Sequence, residues 1–260
     1  MTSLTAPPRL RPRVLLRGPG LRPPDLAQGP QLWVVRAPET ERPDDDALLD
    51  ESERRRASAL RRPRERALHE AAHRGLRRVL GAYTGLPPAA VRLVREPCPG
   101  CGGPHGRPAV AGPAGARLHF SLSHAEGLAL LALAAEPVGV DVERVPRARL
   151  AEDAAASLHR SEQAELARLE AAARPDGFAR CWTRKEAYLK ATGEGLSGAA
   201  LRDHYLGTGP RPAAPPGWTV TDVDVPLGWA AACAVRVSGP AAPPGRRPAR
   251  CASRGSRGRR

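Results

Sequence analysis

Three runs of apolar residues follow one another between residues 117 and 145, and they decide much of what this chain can fold into. The first, RLHFSLSH, alternates apolar and polar residues, the second, GLALLALAAE, is almost entirely apolar, and the third is VGVDVERV. Alternation with a period of two is typical of a strand, and the connection HAEG is tight enough to join the first two runs. The centre of the chain is therefore predicted to form three consecutive β-strands.

Helical patterns lie on both sides of these strands. Before them, a helical region ends at Gly85, and its apolar residues recur every three or four positions, at Leu68, Ala72, Leu76, Val79 and Tyr83. After them, one helix begins near Ser161 and another covers Phe178–Thr192, where Gly-Glu-Gly ends it. Further strands are predicted for QLWVVRA, for residues 91–95, and for GWTVTDVDV and GWAAACAVRV. The whole pattern predicts an α+β fold.

The net charge of +14 raises the alternative of a basic nucleic-acid-binding protein. Most of that charge lies at the two ends, because residues 239–260 carry seven Arg and no acid and residues 1–31 contribute +4, which leaves +3 for the middle. Both ends are rich in Pro, Gly and Arg, so we predict disordered tails. Aromatic residues make up 3% of the chain, which is few for a nucleic-acid surface, and we expect no specific nucleic-acid partner.

Compartment and membrane association can also be addressed from the sequence. No stretch approaches the roughly 20 apolar residues of a membrane span, and no apolar run follows the first basic residues as it does in a secretory signal. Five cysteines, an odd number, do not suggest a disulfide scaffold. We therefore expect a cytoplasmic protein with no membrane partner.

Two acids interrupt the third strand. Asp141 and Glu143 share one face, opposite Val138, Val140 and Val142, because strand side chains alternate. Two carboxylates this close raise each other's pKa unless a positive group lies between them, and a hard divalent cation such as Mg²⁺ would serve. The alternative is a solvated strand face at a sheet edge.

The helix FARCWTRKEAYLKAT carries the second group of polar residues. Glu186 and Lys190 are four residues apart and so are neighbours on the helix, which by itself is compatible with an ordinary surface pair. Lys185 and Lys190 are, however, the two lysines of a chain that has 39 arginines, which favours a specific need for a compact ammonium group. His124 lies at the end of RLHFSLSH, where a histidine is more often just a surface residue; beside a phosphate it would donate a charge-assisted hydrogen bond.

Cys98, Cys101 and His105 have the spacing of half a zinc site. A closed zinc site needs four ligands, and no second pair lies near in the sequence. A loop with free thiols is the favoured interpretation, and zinc remains the alternative.

The motifs SLSH, VGVDVE and WTRKEAYLKATGEGL, in this order, resemble the signatures of 4′-phosphopantetheinyl transferases, in particular the type that activates surfactin synthetase. The resemblance covers roughly residues 48–237. It implies two similar α/β subdomains in a pseudo-twofold arrangement with the active site in the cleft between them. We accordingly expect a tail at residues 1–30, subdomains at 31–137 and 138–238, and a tail at 239–260.

The resemblance also implies a reaction and its residues. Coenzyme A, as co-substrate, would donate phosphopantetheine to a serine of an acyl or peptidyl carrier domain and release 3′,5′-ADP. The implied ligands of Mg²⁺, or of Mn²⁺, are Asp141, Glu143 and Glu186. The implied catalytic residues are Glu186, Lys190 and His124, and the base that deprotonates the carrier serine is either Glu186 or a metal-bound water. The implied coenzyme A contacts are Ser123, His124, Lys185, Lys190, Arg107, which stands where many relatives have lysine, and, less directly aligned, Arg54, Arg56 and Arg66.

A catalytically inactive relative that binds coenzyme A or a carrier is the other interpretation of the same resemblance. The presence of all three acids and both lysines argues against it. We expect a monomer, and the sequence does not name the carrier protein or its pathway.

Overall fold

Within the residues that the computed structural model describes, 8–15, 21–36, 47–195 and 198–237, nine strands form three sheets. The strands are β1 (Arg13–Val14), β2 (Gln31–Arg36), β3 (Leu93–Arg95), β4 (Pro108–Val110), β5 (His119–Ala125), β6 (Leu128–Ala134), β7 (Val138–Arg144), β8 (Trp218–Asp222) and β9 (Trp229–Arg236). The largest sheet has the order β1-β2-β6-β5, a second has the order β7-β9-β8, and β3 pairs with β4. The three predicted central strands are β5, β6 and β7.

Six α-helices are described beside these strands. They are α1 (Glu51–Ala59), α2 (Pro63–Thr84), α3 (Ala148–Ala155), α4 (Arg160–Arg168), α5 (Arg174–Thr192) and α6 (Gly198–Asp203). Glycines in the left-handed conformation end the two longest, Gly85 after α2 and Gly193 after α5, as their lack of a β-carbon allows. The prediction of an α+β fold is confirmed as a mixture of helix and sheet.

The two larger sheets pack face to face and share one core. Val138, Val140 and Val142 of β7 pack with Leu130 and Ala132 of β6 in a single buried cluster. The other face of the first sheet is covered by α2, which buries the predicted apolar positions Leu68, Ala72, Leu76 and Val79. The other face of the second sheet is covered by α5. The order of layers is therefore helix, sheet, sheet, helix.

The change from one sheet to the other falls between β6, which ends at Ala134, and β7, which begins at Val138. This is where the sequence places the border of its two subdomains. The similarity of the two halves and their pseudo-twofold relation stay predictions.

The segment before β2 departs from the predicted tail over residues 1–30. Arg13 and Val14 pair with β2, Leu10 bridges to Val223 beyond β8, and the hydroxyl of Tyr83 donates to the carbonyl of Pro24 at 2.7 Å. Backbone pairing fixes residues 10–15, and Leu21 and Leu26 pack on the core, so the tail prediction is wrong for residues 8–15 and 21–30 despite their Pro/Arg-rich composition. The predicted tail 239–260 lies outside the described residues.

No described helix combines the length and the apolar character needed to cross a bilayer.

Candidate active site

Asp141 is the centre of the polar site between β5, β7 and α5. Its Oδ1 accepts a hydrogen bond from the Ser123 hydroxyl at 2.7 Å and one from the Lys190 ammonium at 2.6 Å. Lys190 also donates to the Ser123 oxygen at 3.1 Å. Three residues that are far apart in sequence therefore form one closed triangle of hydrogen bonds, on a carboxylate that is only 1% exposed.

A glycine allows α5 to reach this strand. A β-carbon at Gly139 would lie 2.0 Å from the carbonyl oxygen of Ala187 and 2.5 Å from the backbone nitrogen of Ala191. Since both are backbone atoms of the helix, they could not turn aside as a flexible side chain could. The missing side chain at Gly139 thus sets the distance between β7 and α5, and with it the positions of Glu186 and Lys190 relative to Asp141.

Two further acids surround the triangle. Burial, reinforced by the charge of Asp141, raises the pKa of Glu143 to about 7, although Lys190 opposes the shift. Burial and the same neighbour also raise the pKa of Glu186 to about 7, and the Lys190 ammonium lies 3.9 Å from Glu186 Oε2. One ammonium group therefore compensates three buried or half-buried carboxylates, which leaves an excess of negative charge.

This arrangement fits a divalent cation. The second oxygen of Asp141, Oδ2, is buried without a hydrogen-bond partner, and a buried carboxylate oxygen without a partner is costly. Carboxylate oxygens are the ligands that Mg²⁺ prefers. Oxygens of Asp141, Glu143 and Glu186 do not all lie within 4.8 Å of one another; among the described residues, such a group of three ligand atoms is formed by Cys98, Cys101 and His105. Binding of a cation by all three carboxylates would therefore require them to move closer together.

Lys185 does not belong to this group. Its side chain is buried, and its ammonium lies 2.8 Å from the Glu162 carboxylate and donates to the carbonyl oxygens of Leu201 and His204. The structure therefore gives Lys185 a structural role, and the prediction of a coenzyme A contact there is corrected. The sequence already indicated burial of Lys185, because this residue follows Cys181 by four positions and so lies on the apolar face of α5.

Arg184 also anchors α5 from this side. It makes two hydrogen bonds of 2.7 Å to the carboxylate of Asp222 on β8 and a third to the carbonyl of Gly207. Paired, parallel bonds between guanidinium and carboxylate fix geometry as well as charge. Arg184 and Lys185 thus hold the helix in place while Glu186 and Lys190 present their charges to the site.

A cleft of about 590 Å³ opens next to the triangle. Its walls come from α1, α2, β5, the β3–β4 hairpin and the end of α5, and the predicted residues among them are Arg56, Arg107, His124 and Lys190. Arg107 pairs with Glu96 at 2.7 Å and donates to the carbonyl of Ala191 at 2.8 Å, so its guanidinium is already engaged. Arg54 and Arg66 are not among the lining residues and donate to the nearby carbonyls of Leu49 and Leu60.

Sequence reasoning missed two histidines of this cleft. His69 and His73 lie one turn apart on α2 with ring centroids 4.3 Å apart, and the His69 ring meets His124 edge to face at 5.7 Å. Burial and the two neighbouring histidines lower the pKa of His69 to about 4, and burial, His73 and Lys190 lower the pKa of His124. The sequence could have indicated this pair, because His69 and His73 are four residues apart and share a helical repeat with Leu76.

Comparison with known proteins gives this site a family. A model of the 4′-phosphopantetheinyl transferase superfamily matches residues 137–207. The 4′-phosphopantetheinyl transferase HetI of Nostoc sp. is 33% identical over 184 residues, which are 68% of this chain and 75% of that protein.

The chain belongs to the 4′-phosphopantetheinyl transferase superfamily.

Two further relatives agree with this membership. A putative 4′-phosphopantetheinyl transferase of Synechocystis sp. is 28% identical over 65% of this chain and 67% of its own length. The 4′-phosphopantetheinyl transferase Sfp of Bacillus subtilis is 30% identical over 30% of this chain and 35% of its own length. The segment matched by the superfamily model runs from the start of β7 past the end of α5, so it includes Asp141, Glu143, Glu186 and Lys190.

Proposed function

We propose that this transferase moves the 4′-phosphopantetheine moiety of coenzyme A to a serine of an acyl or peptidyl carrier domain and releases 3′,5′-ADP. The observation that carries the proposal is the hydrogen-bonded triangle of Ser123, Asp141 and Lys190, placed between two acids of raised pKa and beside an open cleft. It combines anionic ligands for a cation with one ammonium for a phosphate. Those are the groups that transfer of a phosphoryl centre requires.

The cleft supplies the binding site for coenzyme A in this proposal. Arg56 is exposed and lines the cleft, so its guanidinium is available to a phosphate. His124 of β5 also lines the cleft, where its ring would donate to the pyrophosphate, and Ser123 is adjacent. Arg107 lines the cleft as well, and its bonds to Glu96 and Ala191 hold it in place. Arg54 and Arg66, on the α1–α2 side, stay proposed contacts of the 3′-phosphate.

Asp141, Glu143 and Glu186 would hold Mg²⁺, or Mn²⁺. When bound, such an ion neutralises charge on the pyrophosphate and on the leaving ADP. The free Oδ2 of Asp141 is the first oxygen available to it.

Lys190 and Glu186 carry the chemistry that the chain itself provides. The Lys190 side chain is 31% exposed although its ammonium is bonded to Asp141, and it lines the cleft, where it can stabilise charge on the leaving phosphate oxygen. Glu186, whose pKa is raised to about 7 in the metal-free protein, is the residue of this chain proposed to accept the proton of the attacking serine, and water is the alternative proton acceptor. Each residue thus has a separate proposed task within one helical turn.

We further propose that the protein acts as a monomer in the cytoplasm, with carrier domains and coenzyme A as partners. The pathways would be polyketide, nonribosomal peptide or fatty-acid synthesis. The activity of the relatives named above argues against a basic nucleic-acid-binding protein or an inactive relative as the main function.

Mass spectrometry of apo carrier domains tests the proposal. A panel of acyl and peptidyl carriers is incubated with the full chain, coenzyme A and Mg²⁺, and the expected result is a mass gain of one phosphopantetheine arm on at least one carrier. A carrier whose acceptor serine is replaced by alanine is the matched control and should not gain mass. Binding of coenzyme A without mass gain on any carrier would favour the inactive relative.

A further inference from the structure

The loop between β3 and β4 brings three potential metal ligands together outside the site described above. The sulfur atoms of Cys98 and Cys101 and a ring nitrogen of His105 all lie within 4.8 Å of one another. Cys101 Sγ is 2.9 Å from His105 Nε2, which is a hydrogen-bond contact that a shared metal ion would replace. Two thiols and an imidazole are typical ligands of structural zinc.

The loop has little else to hold its shape. Residues 96–107 read EPCPGCGGPHGR and contain no aliphatic or aromatic side chain other than proline and the histidine ring, so they cannot form an apolar cluster of their own. Their backbone is nevertheless folded tightly, with the N–H of Gly102 bonded to the carbonyl of Cys98 and the N–H of Cys98 bonded to the carbonyl of Gly103. Metal binding commonly supplies the stability that such small motifs lack.

Glycines make the close approach of the ligands possible. A β-carbon at Gly103 would lie 3.0 Å from the His105 ring and 3.4 Å from the sulfur of Cys101. A β-carbon at Gly106 would lie 2.4 Å from the carbonyl oxygen of Glu96. The turn that converges the three side chains therefore depends on residues without side chains.

The surroundings favour a cation. Backbone N–H groups of Cys101 and Gly100 donate to the Cys98 sulfur. The carboxylate of Glu194, just beyond α5, is near enough to act on Cys98 electrostatically, and its charge adds to the attraction for a metal ion.

We propose that Cys98, Cys101 and His105 bind one Zn²⁺ ion through three protein ligands, with solvent in the fourth position of the tetrahedron. This zinc site is distinct from the carboxylate site on β7 and α5 and takes no part in the proposed transfer. Sequence alone favours free thiols here because no second pair of ligands is near. The structure brings the three existing ligand atoms within 4.8 Å of one another, and solvent would complete the four positions that zinc requires.

The proposed zinc ion has a structural role at the rim of the cleft. His105, Gly106 and Arg107 line the cleft, and Arg107 joins this loop to the last turn of α5 through the carbonyl of Ala191. Fixing the loop with a metal therefore also supports the wall against which coenzyme A is proposed to bind.

Zinc content of the full chain is the first test. The protein is purified without chelators under reducing conditions, equilibrated with zinc and desalted, and its metal is counted by mass spectrometry of the elements. We expect one zinc per wild-type chain. Substitution by Co²⁺ should give the thiolate charge-transfer bands of a site with sulfur ligands.

Cys101→Ser is the informative variant because Cys101 is exposed and its replacement should leave the fold intact. Loss of a residue that only hydrogen-bonds to a metal ligand lowers metal affinity about 10–100-fold. Loss of this ligand should therefore lower zinc affinity at least about 100-fold, measured by competition with a chromophoric chelator. Cys233→Ala, at a buried cysteine of β9, is the matched control and should retain full zinc. A chelator should lower the thermal midpoint of wild type by at least about 2 °C and that of Cys101→Ser by less.

Three results would overturn the proposal. The first is wild-type protein without zinc after equilibration, and the second is a zinc affinity of Cys101→Ser equal to that of wild type. The third is a Cys98–Cys101 disulfide, seen in the intact mass as a loss of two hydrogens, in a protein that still binds no zinc after the disulfide is reduced.

Discussion

The ammonium of Lys190 lies 2.6 Å from the carboxylate of Asp141, although 49 residues separate them in sequence. The contact joins the last turns of α5 to the middle of β7, and it leaves the other oxygen of Asp141 without a partner. Asp141 can therefore keep its bond to Lys190 and still offer an oxygen to a cation. The same carboxylate orients the proposed phosphate-binding lysine and takes part in the proposed metal site.

Replacing Glu186 by glutamine separates its catalytic role from its effect on stability. We expect Glu186→Gln to abolish transfer, because it loses both a proposed metal ligand and a proton acceptor, and we expect the same loss for Asp141→Ala. The metal-free Glu186→Gln protein should be more stable than wild type at pH 8. The reason is that folding raises the pKa of Glu186 from 4.5 to about 7, so the folded state binds its proton more tightly and stability falls as pH rises through this window.

The stability gain should reach at most about 3 kcal/mol and should vanish below about pH 4.5. Urea unfolding in the presence of a chelator, at pH 4.5 and at pH 8, measures this gain in the free energy of unfolding. Glu170→Gln, at an exposed glutamate, is the control. Near-normal turnover of Glu186→Gln in Mg²⁺ would remove this residue from the active site.

The two lysines should respond differently to arginine. Lys190→Arg keeps the charge but replaces a compact ammonium by a larger planar group, so we expect transfer to fall at least about tenfold, within the range of a lost transition-state contact. Coenzyme A binding and thermal stability should change less. Transfer assays and calorimetric measurement of coenzyme A binding, on one preparation, separate the transfer rate from the affinity. Wild-type turnover in Lys190→Arg would contradict the proposed role of Lys190.

Lys185→Arg should fail by another route. The Lys185 side chain is 1% exposed and its partner Glu162 is fully buried, so a larger group overfills the space and should cost about 1–3 kcal/mol of stability. Any fall in transfer should then follow the fraction of folded protein. A strong loss of coenzyme A affinity in a fully folded Lys185→Arg protein would return this residue to the cleft.

Gly139→Ala tests whether the distance between β7 and α5 sets the site. The added β-carbon would meet helix backbone at 2.0 Å, so the helix must shift. We expect a loss of about 1–3 kcal/mol, and a drop in transfer that remains after the folded fraction is corrected for, since Glu186 and Lys190 move with α5. Gly209→Ala, where no atom lies within 4 Å of the new carbon, should change stability by no more than about 0.5 kcal/mol.

His69 should make stability depend on pH in the acidic range. Folding lowers its pKa from 6.5 to about 4, so the unfolded chain binds the proton more tightly. The contribution to stability is present above about pH 6.5 and is lost as pH falls toward 4. His69→Leu should reduce this loss by up to about 3 kcal/mol, measured as the difference between the two unfolding curves from pH 7 to pH 4. Parallel curves for the two proteins would show that the histidine does not titrate as described.

The sequence predicted the elements of the site better than the roles of single residues. β5, β7 and α5 were recognisable because their apolar positions alternate or recur at helical spacing, and the glycines that end α2 and α5 mark those ends. The approach of Asp141 to Lys190 was not derivable in this way. It depends on packing of a helix from one segment on a strand from another; the family resemblance placed both residues in one active site but did not predict their contact.

Lys185 shows the opposite case, in which rarity of a residue type suggested chemistry that the fold does not support. A narrow buried space can require a lysine instead of an arginine just as a phosphate-binding site can. Its place four residues after Cys181, on the face that packs inward, would have distinguished the two. His69 and His73 escaped notice for a related reason, since histidines on an amphipathic helix attract no attention until the neighbouring strand with His124 is in place.

The pairing of β1 with β2 has a practical consequence for anyone who expresses this protein. A shortened version that begins at residue 31 would remove β1 and leave β2, whose sequence QLWVVR is largely apolar and buried, as an uncovered edge of the first sheet. Uncovered apolar edges recruit strands from other molecules, so such a version should aggregate. Affinity tags and truncations are better placed before residue 8, where the segment that shields this edge stays intact.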